Sequence, residues 1–372
     1  MQPQLFPPLP LEGPPLAVGR YLVCLQDQFG EIQALSNASQ ATRESLTPLI
    51  NFVGRGKQTQ PISADTVRNR VNRIGRAVGP RVCYLDTLRV SASATAILSG
   101  APVPLLEAIF DRARRTEMRF IPVLSAGDTS ARHRHVVSDA VAEDGRGLGL
   151  RYRLRTVMPS PGQTASTLLL NELDSLSIRA AEVDLLLDLE YLDADSEFDV
   201  PALASSIDAM ASVAPWRGLA VLGTSIPSSL GCVEQGTLGR IPRREWDIWL
   251  KLATSGLRHQ PCFGDYAIQH PRPPSSGGMG MRANIRYTTS SDTLVARGHG
   301  PFMEEGKAQY RELCNWLASH RDFSGADYTW GDGIIDACAQ GACEPGAQPL
   351  WRGVGTSHHL RFVTEQLRLR AA

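Results

Sequence analysis

Eight short apolar runs, separated by stretches of helical periodicity, constrain this chain more than any other feature. The runs are Tyr21–Gln26, Leu46–Val53, Arg81–Thr87, Arg119–Ala126, Leu148–Leu154, Val183–Glu190, Leu219–Ser225 and Cys262–Ile268. Each has the length of a buried strand. Most are near-continuously apolar rather than alternating, as in parallel strands covered by helices. Between them, Ala64–Val78 sets Val67, Val71, Ile74 and Val78 on one helical stripe, and Pro104–Glu117, Ser166–Ser177, Pro201–Val213 and Pro242–Leu252 repeat the pattern. Pro201 lies just after Asp199, an arrangement that suits a helix start. Strand alternating with helix predicts an α/β fold, and eight strands make a TIM-type (β/α)8 barrel the first expectation. An open doubly wound sheet is the alternative, because a sequence does not show closure.

The eighth run lacks an immediate helix. A Pro/Gly/Ser-rich stretch, His270–Gly280, leads to Ala283–Thr289 and Thr293–Gly298, which flank Ser-Ser-Asp as a hairpin does. A helical pattern follows near Glu304–Ser319, then a loop carrying Trp330 and Asp332. The last pattern, Ser357–Arg370, is expected to be the helix that closes the barrel, with His358 and His359 at its start. Residues 271–355 then form an insertion between strand 8 and helix 8, a lid or hairpin subdomain over the C-terminal face where such barrels hold ligands. Residues 1–19 carry prolines at 3, 7, 8, 10, 14 and 15 and are expected to form an extended arm, which leaves 20–372 as a single barrel domain.

Composition narrows the function classes. With 38 basic and 38 acidic residues the chain is neutral, which argues against a protein that coats DNA or an anionic membrane, though a local basic site is allowed. Lys57, Lys251 and Lys307 are the only lysines, so almost every cation is arginine, the side chain suited to bidentate anion binding. No stretch approaches the roughly 18–20 apolar residues of a membrane span. The N-terminal stretch lacks the charge and apolar run of a signal peptide. Seven scattered cysteines, none with zinc-ribbon spacing, fit a reducing cytoplasm; Cys338 and Cys343 stand five apart without a matching second pair. Gly145–Gly149 is no dinucleotide fingerprint, because a strand follows it, and HExxH, GxSxG and P-loop motifs are absent. Arg132–His135 reads as a solvated helix start.

Several longer stretches point further: AEDGRGLGLRYRL (142–154), AAEVDLLLDLEYL (180–192), PWRGLAVLGTSIPSSL (215–230), IPRREWDIWLKL (241–252), CFGDYAIQHP (262–271), RANIRYTTSSD (282–292), FSGADYTWGDGIID (323–336) and WRGVGTSHHLRFV (351–363). Through them the chain resembles the phage beta protein family of bacterial and phage proteins, over nearly everything after residue 20. Asn51 departs from the pattern, since such proteins tend to carry a glutamate there. The resemblance implies a setting of phage–host conflict, because some members lie near genes of phage-defence or nuclease type. Such a neighbour is therefore the implied partner protein. A reaction is not implied.

Polar residues closing barrel strands are the candidate site. Reading each run to its end gives Gln26, Asp27, Asn51, Asp86, Ser125, Arg151, Arg153, Asp188, Glu190, Ser225, Asp265 and Tyr266. A carboxylate in an apolar strand is costly unless paired, hydrogen-bonded or metal-bound. Asp86, Asp188, Glu190 and Asp265, with His358 and His359, are the candidate catalytic groups, as general acid and base or as holders of a divalent metal. Arg151, Arg153 and Arg286 are expected to form an anion site, and Ser225, Tyr266, Trp330, Asp332 and Arg352 to line the same mouth. Ordinary explanations compete: Asp188 and Glu190 can pair with Arg151 and Arg153, the histidines can lie on a surface, and tryptophans are more often core. A hydrolase of phosphodiesterase type is the first functional expectation. The alternatives are a non-catalytic binding or sensor protein that recognises a phage or partner protein, and a nucleic-acid-binding component.

Overall fold

The computed structural model describes residues 15–17, 19–53, 61–87, 94–155, 163–193, 198–272, 282–301 and 306–371. Eight parallel strands close into a barrel, so the open-sheet alternative falls. They are β1 (Tyr21–Gln26), β2 (Leu46–Asn51), β3 (Val82–Asp86), β6 (Arg119–Ser125), β7 (Leu148–Arg153), β8 (Val183–Tyr191), β9 (Gly218–Thr224) and β11 (Cys262–Asp265), and β11 pairs back onto β1. A small hairpin, β4 (Thr95–Leu98) and β5 (Ala101–Pro104), follows β3.

Side chains alternate across the barrel wall with the strand period of two. Leu22, Leu49, Ile121, Val123, Leu186, Ala220 and Leu222 fill the interior. Their neighbours Val23, Ile50, Leu85, Leu124, Leu185 and Val221 face out into the larger core under the helices. Those helices are α1 (Phe29–Asn37), α2 (Gln40–Ser45), α3 (Ala64–Val78), α4 (Leu105–Arg114), α5 (Ala131–Asp144), α6 (Ala165–Leu176), α7 (Val200–Ala211) and α8 (Arg244–Thr254). Several start where the sequence supplies a side-chain cap: Ser63, Ser130, Thr164 and Asp199 each accept from the backbone amide three residues on. Ser130 thus begins the helix that carries Arg132–His135.

Most of the proline-rich segment lies outside the described residues. Where it enters them it caps the N-terminal end of the barrel. Leu16 is buried among the interior side chains, and Thr47 Oγ1 donates to the Pro15 carbonyl at 2.6 Å. Below the interior layer, Asp184 accepts from Arg217 and from the Tyr84 hydroxyl.

Beyond β11, the strands β12 (Arg282–Thr288) and β13 (Asp292–Pro301) form the expected hairpin. Their sheet takes its third strand, β10 (Thr237–Pro242), from the loop after β9. Thus Pro242, read as a helix start, ends a strand. Helices α9 (Gln309–Ala318) and α10 (Trp330–Ala339) cover this sheet around Ile285, Tyr287, Leu294, Tyr310, Leu313 and Trp351. The closing helix α11 spans Gln348–Ala371, nine residues longer at its start than the sequence pattern indicates. Gly353 and Gly355 mask that start. They are glycine because α11 lies against other backbone: a Cβ on Gly353 would sit 2.7 Å from the Gly30 carbonyl oxygen, and one on Gly355 would sit 2.4 Å from that of Arg286. One correction follows. His358 and His359 lie in the middle of a helix, so a helix N-terminus does not offer them an anion.

Candidate functional site

Strand pleat decides which polar strand ends reach the C-terminal mouth. On β7, Leu148, Leu150 and Tyr152 face outward. Arg151 and Arg153 therefore face in. On β8 the same alternation turns Asp188 inward, and on β3 it turns Asp86 inward. The result is a buried cluster around Arg151. Its guanidinium donates to Asp86, donates to Asp188 Oδ2 from Nε at 3.0 Å and from Nη2 at 2.8 Å, and donates to the Tyr266 hydroxyl. Tyr266 in turn donates to Asp188 Oδ2 at 2.6 Å. Burial works against the Arg151 charge, but Tyr266, Asp188 and Asp86 outweigh it and hold the group well above its usual range. The Tyr266 phenol is pushed up by burial and keeps its proton. Cys24 lies beside this cluster and accepts from Asn51 Nδ2 at 2.9 Å; burial raises its thiol to about 12, so it is no ready nucleophile.

Above this floor opens a cleft of about 400 Å³, lined by Asn51, Arg151, Arg153, Glu190, Tyr266, Pro271 and Arg272. Arg153 is loosely held, 3.4 Å from Ser125 Oγ and 4.0 Å from Asp188 Oδ2. Glu190 takes Arg272 Nη2 at 2.6 Å. Its backbone has φ +57°, where the αL region costs a non-glycine residue about 1–2 kcal/mol. Its N–H donates to Asp188 Oδ1 at 2.8 Å, which fixes that turn.

Other candidates lie elsewhere. Asp265 shares the outer face of β11 with Phe263, so it points away from the mouth towards α11. There Asp265 accepts from the Tyr21 hydroxyl and from His359 Nε2 at 2.9 Å, while Thr288 Oγ1 lies 2.7 Å from His359 Nδ1. Burial lowers the His359 pKa, so Thr288 donates to a neutral ring. His358 Nδ1 lies 3.1 Å from Asp332 Oδ2 and its Nε2 2.9 Å from the Thr288 carbonyl; both are fully buried under a stacked Tyr287. Ser225 caps α8, accepting from the Arg244 amide and donating to Glu245. Trp330 is half-buried and packs against the core of the inserted sheet. Arg286 donates to the Ile268 carbonyl and Arg352 to Gln28, so neither joins Arg151. Asp27 is held by Arg70 and the Val53 amide.

The structure therefore gathers Asp86, Asp188, Glu190, Arg151, Arg153 and Tyr266 at the mouth, and it separates from them Asp265, His358, His359, Ser225, Arg286, Trp330, Asp332 and Arg352. Arg272 was missed. Its signal was its place, a cation directly after the eighth strand, where βα-loops supply ligand contacts. Among the described residues no three His, Cys, Asp or Glu side chains group as metal ligands.

A family model for the beta protein matches residues 21–365. No curated protein matches the chain. Among solved structures, the C-terminal domain of a "putative chitinase" from Desulfitobacterium hafniense DCB-2 aligns over 94% of this chain and 99% of its own, at 10% identity and a TM-score of 0.31. Among the described residues no helix is long and apolar enough to cross a membrane.

Proposed function

Given that the chain belongs to the beta protein family, we propose that its barrel mouth is a binding site for a small ligand carrying a phosphoryl group. The lining of the cleft carries this reading: three guanidinium groups, Arg151, Arg153 and Arg272, stand against one carboxylate, Glu190. Asp86 and Asp188 lie behind Arg151 and are engaged by it, which leaves them poorly placed as acid or base. Arg151 is a fixed floor. Arg153, with long contacts only, has donors to turn towards an anion, and a planar fork suits phosphate. The cleft volume falls in the range of small-molecule sites. A phage–host setting, a partner protein encoded nearby and a cytoplasmic location belong to the same proposal. All seven cysteines are free thiols, which supports the last.

The test is calorimetric titration of the full chain with inorganic pyrophosphate and with a neutral disaccharide. Pyrophosphate is expected to bind and the sugar not. Arg153→Ala is expected to weaken pyrophosphate at least tenfold, by about 1.4 kcal/mol or more, with the unfolding midpoint nearly unchanged. Equal affinity in the variant would sink the proposal.

One observation favours a second reading, hydrolysis of a phosphodiester. Glu190 sits on strained backbone at the edge of the cleft, and such strain collects at reactive groups. In that reading Glu190 takes the proton of the attacking water while Arg153 and Arg272 stabilise the phosphoryl oxygens. Bis-(4-nitrophenyl) phosphate turnover that Glu190→Gln abolishes would establish it; no turnover in the parent chain would end it.

A further inference from the structure

Three cysteines belong to the core of the inserted sheet, Cys314 and Cys338 within it and Cys343 packed against it. Cys314 lies on α9, Cys338 in the last turn of α10, and Cys343 just beyond it. The path between the last two is a tight reversal: Gly341, at φ +72°, donates to the Cys338 carbonyl at 3.1 Å, and Ala342 donates to the Ala337 carbonyl at 2.8 Å. These are the two bonds of a Schellman ending, which folds the chain back over the helix it terminates. The chain carrying Cys343 is thereby turned back towards Cys338, and Cys343 packs against the core that holds Cys338 and Cys314, with the Cys343 and Cys314 thiols both acting electrostatically on Cys338. Cys314 and Cys338 are fully buried, whereas Cys343 is half-buried and reachable. The trio is not grouped as a metal site.

We propose that Cys343 and Cys338 form a redox pair, oxidised by a hydroperoxide, in which Cys343 reacts first and Cys338 resolves it as a disulfide. The Cys343 sulfur, as thiolate, attacks a peroxide oxygen. The O–O bond breaks, Cys343 becomes the sulfenic acid, and the first water leaves. The Cys338 sulfur then attacks the Cys343 sulfur. The S–O bond breaks, and the departing hydroxide takes the Cys338 proton as the second water. Two thiols lose two electrons and one hydrogen peroxide is reduced to two waters. Access sets the order: burial raises the Cys338 and Cys314 thiols and slows them as first nucleophiles. The product staples the turn after α10, the helix whose Asp332 holds His358.

The experiment treats the full-length chain with hydrogen peroxide, blocks remaining thiols with N-ethylmaleimide and maps the peptides by mass. Loss of two of the seven titratable thiols is expected, with a Cys338–Cys343 linkage that dithiothreitol reverses. Cys343→Ser is expected to abolish the linkage, and Cys314→Ser to leave it, with circular dichroism showing both folded. Seven thiols still free, Cys343 carried on to sulfinic acid without a linkage, or a bond formed by another pair would each overturn the proposal.

Discussion

Arg151 sets the chemistry of the mouth, because two buried carboxylates depend on it. Removing one member of a buried ion cluster leaves the others uncompensated, at a cost of about 3–5 kcal/mol. Arg151→Met should lower the urea midpoint accordingly, and Arg151→Lys should not restore it, because an ammonium lacks the fork that reaches Asp86, Asp188 and Tyr266 together. A midpoint unchanged by Arg151→Met would show that the cluster stabilises nothing. The sequence displayed both explanations of Asp188 and Glu190, catalytic carboxylates or partners of Arg151 and Arg153; the structure pairs Asp188 with Arg151, brings Asp86 to the same guanidinium from β3, and gives Glu190 to Arg272 instead. Asp265 was harder. A continuous apolar run has no visible face, so a one-residue offset moves a carboxylate from the barrel mouth to the helix layer. Nothing in CFGDYAI marked Tyr266 rather than Asp265 as the inward residue.

At the scale of elements, α11 joins the barrel to the inserted sheet, and its start was hidden for a physical reason. Glycine is a poor helix former, so Gly353 and Gly355 read as loop; tertiary contact against Gly30 and Arg286 requires them in the helix. Gly353→Ala should cost about 1–3 kcal/mol, as forced overpacking does, although alanine is the better helix former. A stabilised variant, read by thermal unfolding, would contradict this packing. The seam between α11, β11 and α8 also titrates. His359 has a lowered pKa, so its contribution is present above its ordinary value near 6.5 and is lost as pH falls. Glu245, buried, is raised to about 7, so its contribution is present below its ordinary 4.5 and is lost as pH rises through about 7. Glu245→Gln should remove the second slope while keeping the first in unfolding curves taken from pH 4.5 to 8. An unchanged slope would place the titration elsewhere.

For the whole molecule, the eight strands were legible from the count of runs and their spacing, because a parallel strand buried on both faces writes itself as an apolar segment; their closure was not, because an open sheet writes the same runs, and the pairing of β11 with β1 supplies it. The third strand of the inserted sheet was not legible: Thr237–Pro242 alternates weakly and pairs with β13, 50 to 60 residues away. Neutral net charge now has a local counterpart. Acidic and basic groups face each other at both ends of the barrel, Asp184 with Arg217 below and Asp86 and Asp188 with Arg151 above, and the lining of the cleft itself carries a surplus of guanidinium, three groups to the one carboxylate of Glu190. That surplus is the central claim. A crystal structure of the chain grown with inorganic pyrophosphate tests it most directly. The account predicts the ligand in the mouth, with the Arg153 guanidinium turned onto a phosphoryl oxygen and Arg151 still held by Asp86 and Asp188. A mouth without pyrophosphate, Arg153 still resting against Ser125 and Asp188, at concentrations where titration shows binding, would contradict it.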